Sequence, residues 1–193
     1  MSIATTAGRA TCALALTIIL AACSGLGTID ETSVSPISND NTFATLGYLW
    51  AGARTAIENK REPSAGAFNL ALTYQYPCTR GGKGGYQGTL AGTKTGGAGS
   101  GALSLTGSLT ECQFDDKVAI TTISASGLTV TGTIAIANDA WGPISIRIIA
   151  PTVTVNGKTC PGGVDVMLTG VSPFTPPIST GTACGRTGAV ALP

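Results

Sequence analysis

Two adjacent carboxylates, Asp115 and Asp116, are the first candidates for chemistry in this chain of 193 residues. Together with Asp139 and Asp165 they could serve a hydrolase that works through paired acids. Such a site needs two acidic side chains about 5–9 Å apart across a cleft. Neighbouring residues of a strand point to opposite faces, so Asp115 and Asp116 are better explained as a turn.

The sequence contains no histidine. This excludes Ser-His-Asp and Cys-His catalysis and zinc sites built on imidazole. We therefore expect a protein that is not an enzyme and that has no cofactor and no metal site.

A glycine-rich run from 80 to 85 contains Arg80 and Lys83, and Lys94 follows nearby in sequence. Backbone N–H groups of glycines can form an anion nest, to which the cations would add charge. The run is not a phosphate-binding Walker motif, because Gly84 rather than Ser or Thr follows Lys83. We expect a flexible loop and keep Arg80 and Lys83 as candidate ligand-binding residues.

Trp141 follows Asn138 and Asp139 in a stretch that reads as a turn. An exposed Trp at this point could stack on a sugar ring, whereas a Trp folded back would cap one end of a barrel. Capping is the better explanation, and Trp141 stays a candidate binding residue.

Four cysteines lie downstream of residue 23: Cys78, Cys112, Cys160 and Cys184. An even number in an exported chain indicates two disulfides, for which three pairings are possible. We favour Cys78–Cys112 and Cys160–Cys184, because near neighbours in a meander of strands tend to meet. Neither pair has the spacing of a redox motif.

The first 22 residues have the layout of a secretory signal, with Arg9 before an apolar run that ends in small residues. The run is too short to span a bilayer, which takes about 20 apolar residues. It closes on Leu20-Ala21-Ala22-Cys23, which resembles the lipobox of bacterial lipoproteins.

The lipobox resemblance implies that the chain is cut before Cys23, and that Cys23 carries a diacylglyceryl group and an acylated amine. The acyl chains would anchor the protein stably to a membrane. In the best-known diderm bacteria, Asp after the Cys favours the inner membrane. Ser24 follows here, so the resemblance implies a cell-envelope protein that is more often on the outer membrane than on the inner one.

Without Arg9, the chain has ten basic and ten acidic residues. This balance gives no electrostatic reason to expect a nucleic acid as partner. The expected partner is the membrane, through Cys23, together with an envelope protein or an apolar ligand of unknown identity.

Residues 23–41 are small and polar, as in a flexible tether. Residues 42–61 have apolar side chains at helical spacing and predict one helix, which Asn41 or Thr42 would cap. Gly47 and Gly52 each weaken such a helix by about 1 kcal/mol. We expect the helix to pack on a sheet.

From Asn69 onward the apolar period changes to two, as in half-buried strands. Asn156-Gly157 is the strongest hairpin motif. Residues 172–182, with three prolines, predict a loop, and residues 188–192 a last edge strand. Residues 42–193 thus predict one mainly β domain, an antiparallel sandwich or partly open barrel of about eight strands with an N-terminal helix.

These patterns favour a lipid-anchored protein of the cell envelope with a binding or structural role that is not enzymatic. The alternative is a carrier that holds a lipid or other apolar ligand inside the sheet, since barrels of about eight strands can enclose one small ligand. The hydrolase is the second alternative.

Overall fold

A computed structural model describes residues 35–115 and 120–192. The signal segment, Cys23, the tether up to residue 34 and Asp116 lie outside the described residues. One helix, α1 (Asn39–Glu58), precedes ten strands. The strands are β1 (Gly66–Gln75), β2 (Lys83–Thr95), β3 (Ala98–Asp115), β4 (Ile120–Ala137), β5 (Ala140–Ala150), β6 (Thr152–Val155), β7 (Lys158–Thr159), β8 (Val164–Gly170), β9 (Ile178–Ala183) and β10 (Arg186–Ala191).

The helix begins three residues earlier than predicted, because Ser38 rather than Asn41 or Thr42 is its cap. The Ser38 hydroxyl accepts a hydrogen bond from the Asn41 amide at 3.2 Å, which satisfies one of the free amides of the first turn. The preceding Ile37 is only 1% exposed. The predicted tether, 23–41, is therefore wrong at its last residues, which belong to the folded domain.

All strand pairs are antiparallel and belong to one sheet with the order β1-β2-β3-β4-β5-β8-β9-β10. The short strand β6 pairs with β4 beside the end of β5 and forms the predicted hairpin with β7 around Asn156-Gly157. The predicted loop at 172–182 is partly wrong, since its second half is β9. The sheet therefore has ten strands rather than about eight.

Long curved strands carry irregularities where the sheet bends. The register between β3 and β4 shifts on both sides of Leu109, and Glu111 takes a left-handed conformation with φ 49°. Gly127, with φ 63°, lies on β4 at the same bend. Such bulges increase the local twist and let one sheet curl.

Helix α1 lies within the curve of the sheet. Its start contacts β10, where Arg186 donates to the Ile37 carbonyl at 2.9 Å. Its middle contacts the opposite end of the strand order, where Tyr86 of β2 donates to the Leu49 carbonyl at 2.9 Å. The edge strands β1 and β10 do not pair with each other. The predicted class, a mainly β antiparallel sandwich or partly open barrel with one helix, is confirmed.

The sheet has two distinct ends. The disulfide end contains both cystines, the β9–β10 turn and the entry of the chain at Ile37. The hairpin end contains the β2–β3 turn at 96–97 and the β4–β5 turn at 138–139. Strand β2 runs from the first end to the second.

Candidate functional site

The outward face of β1, β2 and β3 forms an open polar groove of about 450 Å³ near the disulfide end. Its outward side chains carry hydroxyl and amide groups and one ammonium group: Thr73, Gln75, Lys83, Gln87, Thr106, Ser108 and Thr110. We call this the β1–β3 groove. It is the candidate binding site of the described residues.

Gly85 forms the floor of the β1–β3 groove. The strand register places it between Gln75 of β1 and Ser108 of β3. A Cβ at this position would collide with the carbonyl oxygen of Tyr74, so the close approach of β1 requires glycine. Because position 85 has no side chain, the polar groups on either side of it face an open space.

Among the described residues that line the groove, Lys83 is the single charged one, and none is a carboxylate. The predicted flexible loop at 80–85 is partly wrong, because Lys83, Gly84 and Gly85 are the first residues of β2. Being held in a strand fixes the direction of the Lys83 side chain beside Thr110, its neighbour in register. The groove therefore has a defined positive point among neutral donors and acceptors.

The three cations of the predicted anion site do not meet. Arg80 donates to Asp115 at 2.8 Å, and both side chains are about half exposed. Lys94 lies at the other end of β2, where it is buried, donates to the Pro63 carbonyl at 3.0 Å and pairs with Asp139 at 2.7 Å. Of the three, Lys83 alone points into the β1–β3 groove.

Trp141 does not provide a stacking surface. It is the second residue of β5, a strand that begins directly after the two-residue turn at 138–139. Its side chain is buried, at 5% exposure. Its ring fills the core near the hairpin end of the sheet, where Trp141 pairs in register with Ile136 of β4. Strand alternation turns Trp141 inward, as the preferred explanation of a folded-back Trp expects, so its ring is not exposed to a ligand.

Each of the described carboxylates that were candidates for catalysis pairs with a different cation. Asp115 pairs with Arg80 at the disulfide end, and Asp139 pairs with Lys94 at the hairpin end. Asp165 receives two hydrogen bonds from Arg147, at 2.7 and 2.8 Å, which lower the pKa of Asp165. Among the residues of 35–115 and 120–192, no three His, Cys, Asp or Glu side chains form a metal-binding group.

Both favoured disulfides are present: Cys78–Cys112, with Cα atoms 5.0 Å apart, and Cys160–Cys184, with Cα atoms 4.3 Å apart. The four cysteines downstream of Cys23 are therefore paired with one another. This leaves the Cys23 thiol without a disulfide partner among them.

Helix α1 covers the side of the sheet on which a carrier would hold its ligand. Helix α1 occupies the space enclosed by the strands, and its apolar face is buried against their inward side chains. Between Leu46 of α1 and strands β8, β9 and β10 there is a cavity of about 10 Å³. A cavity of that size holds at most one water molecule.

Sequence reasoning missed most of the groove residues. The two-residue period does place Gln75, Gln87 and Thr106 opposite to apolar positions and hence on the outer face. It cannot show that β1, β2 and β3 are neighbours in the register that brings these three side chains into one row.

No protein-family model matches the chain, and no curated protein or solved structure is significantly similar to it. Within the described ranges, no helix is both long enough and apolar enough to cross a membrane.

Proposed function

We propose that this chain is a lipid-anchored protein of the bacterial cell envelope whose β domain binds a polar ligand in the β1–β3 groove and does not act as an enzyme. The pairing of the four downstream cysteines supports the proposed lipid anchor and the location in the cell envelope. An oxidising compartment favours two structural disulfides, and the same pairing leaves Cys23, within Leu20-Ala21-Ala22-Cys23, available for acylation.

The outer membrane is the proposed location, since Ser24 follows Cys23. The chain enters the folded domain at the disulfide end, where the Ile37 carbonyl contacts Arg186. The expected tether from Cys23 therefore joins the domain at its disulfide end.

The groove supports a binding role rather than a purely structural one. Its described lining presents hydroxyl and amide groups beside one ammonium group and includes no carboxylate. A ligand that is rich in hydroxyl groups and carries a negative charge, such as an acidic oligosaccharide, matches these donors and acceptors. The burial of α1 against the inward side chains of the strands supports this proposal over the carrier.

The anchor is tested in the full chain expressed with its own first 22 residues in a diderm bacterium. We expect the chain in the membrane fraction, and we expect its N-terminal peptide to begin at Cys23 with a mass increased by acyl groups. The Cys23→Ser variant should lose both properties. The matched control is Cys12→Ser, which leaves them unchanged because Cys12 lies within the removed segment. Retention of a Cys23→Ser variant in the membrane would overturn the proposal.

The groove is tested with trigalacturonic acid as the probe and the neutral galactotriose as its counterpart. We expect NMR shifts confined to β1, β2 and β3, with the acidic sugar binding more tightly than the neutral one. Lys83→Gln should remove that preference, and Thr106→Trp should block both sugars. Lys158→Gln and Thr131→Trp, which are exposed sites elsewhere, should change neither result. If no shifts occur at the groove, this ligand class is wrong.

A further inference from the structure

Strand β1 has a free edge. It is the first strand in the sheet order and pairs with β2 alone, over ten consecutive residue pairs without a bulge. No described residue makes a backbone hydrogen bond to its other side. An unprotected edge of this length is a template for the addition of another strand.

The backbone groups at that edge can be assigned from the pairing. The Tyr76 amide donates to the Gly84 carbonyl at 3.0 Å, so the even-numbered residues of β1 bond to β2. Bonded and non-bonded positions alternate along an antiparallel strand. The amides and carbonyls that point away from the sheet are therefore those of Ala67, Asn69, Ala71, Thr73 and Gln75.

The usual protections of an edge are missing from β1. Its ten residues, Gly66–Gln75, include no charged residue and no proline. The other edge strand, β10, is only six residues long and begins with Arg186. Of the two edges, β1 is the one that can accept a long partner strand without placing a charge in the interface.

We propose that β1 pairs with β1 of a second copy of this chain, antiparallel, around a two-fold axis at Ala71. This register uses the whole strand and makes about ten backbone hydrogen bonds. On the outer face it sets Asn69 opposite Thr73 of the second copy and Ala71 opposite itself. On the inner face it sets Leu70 opposite Leu72 and Phe68 opposite Tyr74.

The inner-face pairs supply the apolar part of the interface. Phe68, Leu70 and Tyr74 pack against the core but remain partly exposed at the edge. In the proposed pair each lies beside an apolar or aromatic side chain of the second copy, and such cross-strand pairs stabilise sheets. The strand thus matches itself in its pattern of apolar and polar side chains and carries no charge, and this favours a second copy over an unrelated strand.

Cross-linking in the full chain, anchored in the membrane of the expressing bacterium, tests the pairing. The two Ala71 residues would lie opposite each other about 5.5 Å apart, which is within the Cα separation of disulfides. We expect Ala71→Cys to give a covalent dimer on a non-reducing gel. Thr131→Cys, an exposed position on the same face in the middle of the sheet, should not. Equal dimer from both variants, or a cross-link to a different protein, would overturn the proposal.

Charge pairs at the edge test the register, in the Ala71→Cys background. Asn69→Lys with Thr73→Lys places lysine opposite lysine twice, and we expect the dimer to be lost. Asn69→Lys with Thr73→Glu places lysine opposite glutamate twice, and we expect the dimer to return. Both positions are exposed, and neither has a charged neighbour in register on β2, so thermal unfolding of the variants should match the parent. A dimer that survives two opposed lysines would rule out this register.

Discussion

The phenol of Tyr76 lies directly over Gly52 of α1, so that a Cβ at position 52 would collide with its hydroxyl group. The same hydroxyl donates to the Tyr48 carbonyl at 3.2 Å. A glycine that weakens an isolated helix is thus the residue that lets α1 approach β1. The helix is held to the sheet at this point by contact with its backbone.

Gly52→Ala is expected to destabilise the domain, although alanine favours the helix by about 1 kcal/mol. Overpacking against Tyr76 should cost about 1–3 kcal/mol and exceed that gain. The measurement is the free energy of unfolding in urea. The matched variant combines Gly52→Ala with Tyr76→Leu, which removes the colliding hydroxyl group and the outer ring carbons. The loss caused by alanine should be smaller in the Tyr76→Leu background, and equal losses would show that this contact does not determine the effect of alanine.

Alkaline pH is expected to unfold the domain through its buried tyrosines. Burial raises the pKa of Tyr76 well above the ordinary value of 10.0, with the nearby Tyr86 adding to the effect, and burial likewise raises the pKa of Tyr86. In the unfolded chain both phenols lose their protons near pH 10, whereas in the folded chain they keep them. The folded state then binds more protons, so stability is complete below pH 10 and falls as the pH rises above it.

The check is urea unfolding at several pH values between 8 and 11. Each tyrosine should contribute a loss of up to about 1.4 kcal/mol per pH unit above 10. The double variant Tyr76→Phe, Tyr86→Phe is less stable at pH 8, because the Leu49 carbonyl loses its hydrogen bond from Tyr86. Its slope above pH 10 should be shallower. Identical slopes in both proteins would assign the alkaline loss to other groups.

The sequence predicted the elements whose signals are local. The helical spacing of Leu46, Trp50 and Ile57 indicated α1, and all three side chains are buried. The alternation of β3 and β4 outside their bulges and the Asn156-Gly157 turn likewise correspond to structure. Near neighbours along a meander also identified both disulfides, because antiparallel strands bring such residues together.

Predictions from the sequence were wrong or missing where the structure of a segment depends on the strands that pair with it. Strand β9, Ile178–Ala183, has few apolar residues and follows several prolines, so it reads as a loop. It is a strand because β8 and β10 pair with it on both sides. The β1–β3 groove was missed for the same reason, since its side chains meet only through the register of three strands. Trp141 was assigned to a turn over residues 138–143. The turn takes only residues 138 and 139, and Trp141 belongs to β5.

Removing either disulfide is expected to cost about 3–4 kcal/mol of unfolding free energy, through the loop-closure entropy of the unfolded chain. The cystines span 34 and 24 residues. The loss for Cys78→Ala with Cys112→Ala should thus slightly exceed the loss for Cys160→Ala with Cys184→Ala. Urea unfolding of the two double variants beside the parent measures this. Losses below about 1 kcal/mol would mean that the unfolded chain is already compact without its cystines.

The ion pair of Lys94 and Asp139 should respond asymmetrically to the removal of its two partners. The Lys94 side chain is 8% exposed and the Asp139 side chain 70% exposed, and the Lys94 ammonium also donates to the Pro63 carbonyl. In Asp139→Asn the buried cation loses its counter-charge, which we expect to cost about 1–3 kcal/mol. Asparagine also tolerates the left-handed backbone at this position, where φ is 61°.

Lys94→Met is the opposite case, because it removes the buried charge and leaves a carboxylate that water already solvates. Its cost should be smaller than that of Asp139→Asn, since methionine fills the same space with an unbranched apolar chain. The two variants are compared by urea unfolding at pH 7 in low and in high salt. Asp139→Asn should stay the more destabilised at both, because a buried lysine is poorly screened. A larger loss for Lys94→Met would show that the hydrogen bond to Pro63, rather than the charge of Asp139, holds the two turns and the segment after α1 together.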